Sequence, residues 1–216
     1  MSKEDLIRDA QAAIKDSDKD AAFALVDKAI AEGMDPMELL DKGFSTGIRE
    51  LGDIFGRGEI FLPELILAAD VMQKTSAYIA EKDTAAADAI VKGTVVMATV
   101  EGDMHDIGKG IVVSLLRAQG FNVVDLGRDV TMDAVIAAAE ENHADLIGTS
   151  ALLTTTLENQ KLLETKLREQ GIREKYKTMV GGAPATTRWA SRIGADAYAE
   201  DAGEAVQTAL RLMGEK

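Results

Sequence analysis

The sequence predicts a mixed α/β fold: an N-terminal four-helix bundle followed by a five-stranded, parallel, doubly wound domain. Three observations predict it. Through Ile79, apolar side chains recur at three- and four-residue steps, the period of an amphipathic helix. From Thr94 onward, short apolar, β-branched runs alternate with helix-like stretches, the pattern of βα units around a parallel sheet. Between the two lies the stretch 83–89 (DTAAADA), small and polar, with no period that demands burial. The expected boundaries are 1–82 for the helical cap, 83–91 for a linker and 92–216 for the α/β domain.

The helices follow in order. Leu6, Ile7, Ala10, Ala13 and Ile14 line a first helix, and Asp16-Ser17-Asp18 breaks it and caps the next. Phe23, Val26, Ala29 and Ile30 line the second, which stops at Gly33. Asp35-Pro36 pairs a cap with a proline at the first helical position. The third helix then carries Leu39, Leu40, Phe44, Ile48, Leu51 and Phe55 before Gly56-Arg57-Gly58. Pro63 opens a fourth with Leu65, Ile66, Ala69, Met72, Ser76 and Ile79. Short connections between four amphipathic helices make a bundle. At one end of it Phe55, Leu62, Leu65 and Ile66 gather, which suits either bundle-end packing or a hydrophobic lid over a reactive group.

Strands are expected near 93–100, 121–125, 145–149, 176–180 and 196–199. Gly120 and Gly171 end helices between them, and Thr131 with Asp133 begins one. Five strands with four crossovers suit a flavodoxin-like, Rossmann-like domain, whose ligands sit at the carboxyl ends of the strands beside the switch between the first and third. The first strand leads to Asp103-Met104-His105-Asp106-Ile107-Gly108. The third leads to Ser150-Ala151-Leu152-Leu153-Thr154-Thr155-Thr156, rich in hydroxyls. The fourth leads to Gly181-Gly182-Ala183, where missing side chains let a bulky group approach the backbone. Hydroxyls can also serve only as helix caps, and paired glycines only as a turn.

Bulk properties narrow the function. The chain has 216 residues, 46% of them hydrophobic, enough for one large core or two modest ones. A formal net charge of −13 repels phosphate backbones and anionic lipid, which argues against nucleic-acid and membrane partners. No apolar run approaches the length of a bilayer span, and the N-terminus shows no signal-peptide pattern. With no cysteine, thiol chemistry and disulfides are excluded, which fits a cytoplasmic protein.

A histidine two residues after an aspartate, in a turn between strand and helix, is unusual equipment for a phosphate loop. Gly108-Lys109-Gly110 lacks a following Ser or Thr, and the glycine spacing is not that of a dinucleotide loop. Imidazole is a common metal ligand, and a carboxylate on its second nitrogen fixes the tautomer. A loop histidine can equally be solvated or bonded to backbone. The only other histidine is His143, so a conventional zinc site lacks ligands. A metal held by His105 must arrive with most of its coordination filled, as in a corrin or haem.

The same residues resemble a known family. Asp103-Met104-His105-Asp106-Ile107-Gly108 fits the Asp-x-His-x-x-Gly signature of cobalamin-binding domains, Ser150-Ala151-Leu152 its Ser-x-Leu element, and Gly181-Gly182 its Gly-Gly element. The helical half resembles the cap module of methionine synthase, including Leu51-Gly52-Asp53-Ile54-Phe55-Gly56 and Phe61-Leu62-Pro63-Glu64. Together they look most like the corrinoid proteins of methanol- and methylamine-type methyltransferase systems. The resemblance implies a cobalamin or related corrinoid bound base-off, with His105 as lower axial ligand. It gives the His–Asp–Ser relay of the family to His105, Asp103 and Thr156, with threonine in place of serine. The displaced nucleotide tail is expected beside Gly108, Ser150, Leu152, Thr154, Gly181 and Gly182, and the upper-face cap residues map onto Phe55, Leu62, Leu65 and Ile66.

What the resemblance implies for function is a methyl shuttle of one-carbon metabolism, as in methanogenesis or acetogenesis. The cofactor alternates between Co(I) and methyl–Co(III). Its partners would be a substrate-specific methyltransferase, a second methyltransferase acting on coenzyme M or tetrahydrofolate, and a reductive activase. The protein would carry the methyl group without being an enzyme alone. A cobalamin-based sensor and the cobalamin subunit of an adenosylcobalamin-dependent mutase share the binding motif. A receiver or flavin domain shares the sheet, but a receiver expects a lysine after its last strand, where Ala199-Glu200-Asp201 stands. Arg128 and His143 are left without a role.

Overall fold

A computed structural model describes residues 1–82 and 92–214; the expected linker, 83–91, lies outside the described residues. The chain forms two compact units, Met1–Lys92 with Ser114–Phe121, and Gly93–Val113 with Asn122–Lys216. No helix among the described residues is long and apolar enough to cross a membrane.

In the helical unit, α1 (Lys3–Lys15) starts from a capping box in which Ser2 and Asp5 satisfy each other's backbone N–H groups. Asp18 caps α2 (Lys19–Ala31), and Asp35 caps α3 (Pro36–Leu39) with proline at its start. The third expected helix is interrupted: a π turn (Leu40–Phe44) separates α3 from α4 (Ser45–Gly56). Along this stretch Gly43 and Gly47 face α1. A Cβ on Gly47 would stand 2.7 Å from the Gln11 carbonyl oxygen, so the two backbones pack at a distance only glycine permits. Gly47→Ala should therefore destabilise this unit by about 1–3 kcal/mol in denaturant unfolding; an unchanged midpoint would mean that the helices do not pack this closely.

Helix α5 (Leu62–Lys82) buries Leu65, Ala68, Ala69, Met72, Thr75 and Ile79. Ile66, expected on that face, is turned away by the 100° step from Leu65 and is exposed. Leu6, Ile14, Leu39, Phe44, Ile48 and Leu65 are fully buried, each stabilising the bundle by about 1.5–3 kcal/mol.

The α/β unit is a parallel sheet of β1 (Thr94–Thr99), β2 (Asn122–Asp125), β3 (Leu146–Ser150), β4 (Lys177–Gly181) and β5 (Ala197–Tyr198), in the order β2-β1-β3-β4-β5. This is the flavodoxin-like order expected, with the switch point between β1 and β3. β5 is shorter than its expected span because only Ala197 and Tyr198 pair, with Met179 and Val180. The helices α6 (Ile107–Ala118), α7 (Met132–Glu141), α8 (Glu158–Glu169), α9 (Thr187–Ile193) and α10 (Ala202–Leu212) complete the βα units. Thr131 caps α7, as its position before an apolar run predicts.

Strand alternation sorts the side chains. Val96, Ala98 and Ile147 pack with Val135, Ile136, Leu163 and Leu167 from α7 and α8. The residues between them on the strands point the other way, where the functional cavity lies.

Candidate functional site

A cavity of about 620 Å³ opens at the carboxyl edge of β1, β3 and β4 within the α/β unit. Its wall includes one row across three strands: Met97 pairs in register with Gly148, and Gly148 with Met179. Glycine in the middle of the row makes room for the Met97 side chain, which lies over position 148. A Cβ at position 148 would lie 2.2 Å from Met97 Sδ. Ile111 and Val112 of α6 and Ala205 of α10 form further parts of the lining.

The mouth of the cavity is built on Asp103. This side chain has no exposed surface and accepts hydrogen bonds at both oxygens. Oδ1 takes the His105 backbone N–H at 3.0 Å and pairs with His105 Nδ1 at 2.7 Å. Oδ2 takes the backbone N–H groups of Leu152 at 2.7 Å and Leu153 at 3.2 Å. It also lies 2.7 Å from Thr156 Oγ1. That hydroxyl is 2.9 Å from the Leu153 carbonyl as well, and its single proton goes to the charged acceptor.

Burial alone would raise the Asp103 carboxyl, but the hydrogen bonds from Thr156, Leu152 and His105 overcome it and hold the group well below the usual carboxylate range. An ionised carboxylate only accepts, so the imidazole proton resides on Nδ1 and the Nε2 lone pair is left available. Nε2 has no hydrogen-bond partner among the described residues, and His105 lines the cavity. Around it, Met104, Ile107 and Leu152 form an exposed apolar rim, with Ile107 at 78% exposure. Exposed apolar side chains grouped around one free ligand atom suit a flat apolar partner.

The donor set decides what kind of metal fits. Among the described residues, no three His, Cys, Asp or Glu side chains gather as a metal site. One imidazole nitrogen beside a cavity of about 620 Å³ suits a metal that brings its own equatorial ligands and a tail, as a corrinoid does. Gly182 shapes the cavity edge through a close backbone approach. It stands at φ +110°, and a Cβ there would sit 1.9 Å from the Ala151 carbonyl oxygen, so the cavity edge has no space for a side chain at this position.

The expected residues distribute as follows. Met104, His105, Asp106, Ile107, Gly108, Ser150, Leu152, Gly181, Gly182 and Ala183 all line the cavity. Asp103 and Thr156 lie buried behind it, joined to each other. Thr154 departs from expectation: it is exposed and outside the lining, because its loop turns its backbone N–H groups inward instead. In the helical unit Leu65 is wholly buried in that unit's own core, which is packing and not a lid; Phe55 and Leu62 are half-buried and Ile66 exposed. His143 takes a left-handed turn, φ +49°, between α7 and β3, at the opposite edge of the sheet from His105. Arg128 lines the cavity.

Several lining residues carried no sequence signal. Met97, Gly148 and Met179 look like ordinary strand residues until the register aligns them. Lys109 is nearly buried, and its Nζ donates to Asp125 Oδ1 at the end of β2, tying the first turn of α6 to the sheet.

Comparison with known proteins agrees with this geometry. The B12 binding domain family matches residues 93–209, and a second B12 binding domain family matches residues 6–80. The dimethylamine corrinoid protein of Methanosarcina barkeri is 47% identical over 213 residues, covering 99% of this chain and 100% of that protein. The trimethylamine corrinoid protein of the same organism is 45% identical over 206 residues, covering 95% of each. A chain of the methanol:cobalamin methyltransferase complex of Methanosarcina barkeri superposes with a TM-score of 0.84 at 35% identity, covering all of this chain and 82% of that one.

Proposed function

This chain belongs to the B12-binding family of corrinoid proteins, and on that premise we propose that it is the methyl-carrying component of a methyltransferase system for methylated amines. The observation that carries the reading is the Asp103 hub, which leaves His105 Nε2 oriented at the mouth of the cavity without a hydrogen-bond partner among the described residues. Identities of 47% and 45% over nearly the whole chain to dimethylamine and trimethylamine corrinoid proteins support an amine as methyl source.

When bound, the corrinoid supplies the chemistry itself: its cobalt takes up a methyl group from a donor and releases it to an acceptor. The chain's residues bind and orient. His105 would hold the metal through Nε2. Asp103 holds the proton on Nδ1 and fixes the plane of the ring, and Thr156 with the Leu152 N–H holds Asp103. Gly108, Gly148, Gly181 and Gly182, with Ser150, line the cavity and would hold the nucleotide tail. Met104, Ile107 and Leu152 would exclude water from the bound group. The partners are then a substrate-specific methyltransferase, a second one that hands the group to coenzyme M or tetrahydrofolate, and a reductive activase.

The test is a spectral titration. The corrinoid-loaded, reduced protein is mixed with dimethylamine or trimethylamine and the matching methyltransferase. A shift to the methyl–cobalt spectrum that depends on both amine and enzyme is expected. If the spectrum stays that of the reduced cofactor with both amines, while methyl iodide still methylates it, the amine assignment fails.

A further inference from the structure

The turn after β2 holds a strained residue that the roles above leave unused. Asp129 stands at φ +57°, in the left-handed region where few side-chain-bearing residues settle. Both of its polar ends address the loop that carries His105. Its Oδ1 accepts the Gly102 N–H at 2.8 Å, and its backbone N–H donates to the Asp103 carbonyl oxygen at 3.1 Å. The next residue continues the join, since the Val130 N–H donates to the Thr99 carbonyl at 3.1 Å and Val130 bridges Val100. On the other side, the Asp103 side chain is gripped by the β3 loop through Leu152, Leu153 and Thr156. The histidine loop is thus held from two flanks, and Asp129 is the only side chain seen holding it from the β2 flank among the described residues' hydrogen bonds to Gly102.

We propose that Asp129 is a positioning residue that clamps Gly102 and Asp103 and so fixes where the His105 ring stands. Asp129 does not line the cavity, whereas Arg128 beside it does, so Asp129 acts through the backbone of its neighbours. In this left-handed conformation one residue presents its carboxylate to Gly102 and its N–H to the next residue, Asp103. The consequence for cobalt rests on the reading of His105 as axial ligand; the clamp itself does not.

Three variants separate the contributions. Asp129→Asn keeps an acceptor oxygen and tolerates the left-handed region. Asp129→Gly keeps the backbone and loses the acceptor, and Asp129→Ala loses both. In the cofactor-free full chain, amide exchange at Gly102 should be about tenfold faster in the glycine and alanine variants and near the native rate in Asp129→Asn. The ¹⁵N signals of the His105 ring should show the Nδ1–H form in the native protein and Asp129→Asn, and a mixture of tautomers in Asp129→Ala. In the corrinoid-loaded chain, the fraction of cobalt bound to a histidine nitrogen should fall in the same order. Native Gly102 exchange and native ring signals in both the alanine and glycine variants would overturn the clamp. A ring response in the free protein, combined with no histidine nitrogen on cobalt in the loaded native protein, would uphold the clamp and remove the axial role of His105.

Discussion

Replacing Asp103 by alanine is expected to destabilise the α/β unit by about 3–5 kcal/mol and to abolish ordered ligation by His105. The cost arises because the N–H groups of His105, Leu152 and Leu153 and the Thr156 hydroxyl lose the common acceptor that the buried Asp103 side chain provides. Asparagine does not rescue it. Both Asp103 oxygens face N–H donors, so an amide NH₂ collides with one group of them in either orientation. If the amide turns toward His105, Nδ1 must accept and the proton moves to Nε2, the atom that should bind metal. Asp103→Asn should fold better than Asp103→Ala and still lose the histidine-ligated spectrum.

The same group sets an acid limit. Its pKa is depressed in the folded chain, so its stabilisation is present in full above the unfolded carboxylate value of about 4 and is lost as pH falls through that value toward the folded one. The Asp103 variants should therefore show a flatter loss of stability on the acid side than the native chain. An acid limb of unchanged slope in Asp103→Asn would take this carboxylate out of the account.

Gly182→Ala is the second large effect. The added methyl would stand 1.9 Å from the Ala151 oxygen and 2.7 Å from its carbonyl carbon, both backbone atoms that cannot swing aside. With φ at +110° the alanine is strained even before it collides. A loss of about 4 kcal/mol or more, with separation of β3 from β4 at their carboxyl ends, is expected. Gly108→Ala is the matched control. Its Cβ meets nothing within 4 Å and lies in the first turn of α6, so stability should hold or rise by up to about 1 kcal/mol. That methyl nevertheless projects from a residue lining the cavity, and corrinoid retention should fall. Equal stability losses in the two variants would show that the close approach at Gly182 is not real.

Much of this was legible in the residues themselves. Helical spacing, the caps at Asp18, Asp35 and Thr131, and the β-branched runs predicted every strand and the doubly wound order. Asp103 and His105 stood out because a carboxylate–imidazole pair at a strand end has a clear chemical use. What could not be read was anything set by register or by the pitch of a single turn. Gly148 gains its meaning only when it pairs between Met97 and Met179. Ile66 and Leu65 differ by one helical step, and that step sends one into the core and the other to the surface. Thr154 and Thr156 have the same chemistry, yet the turn of their loop buries only the second. The π turn at Leu40–Phe44 is equally invisible in an unbroken apolar period.

The most direct measurement is electron paramagnetic resonance of the Co(II) form in protein grown with ¹⁵N-histidine. With His143 across the sheet from the site, a change from three-line to two-line nitrogen splitting on the cobalt signal identifies His105 as the axial donor, and this is the result expected. An unaltered three-line pattern, which is that of the cofactor's own base, or no nitrogen splitting at all would contradict it.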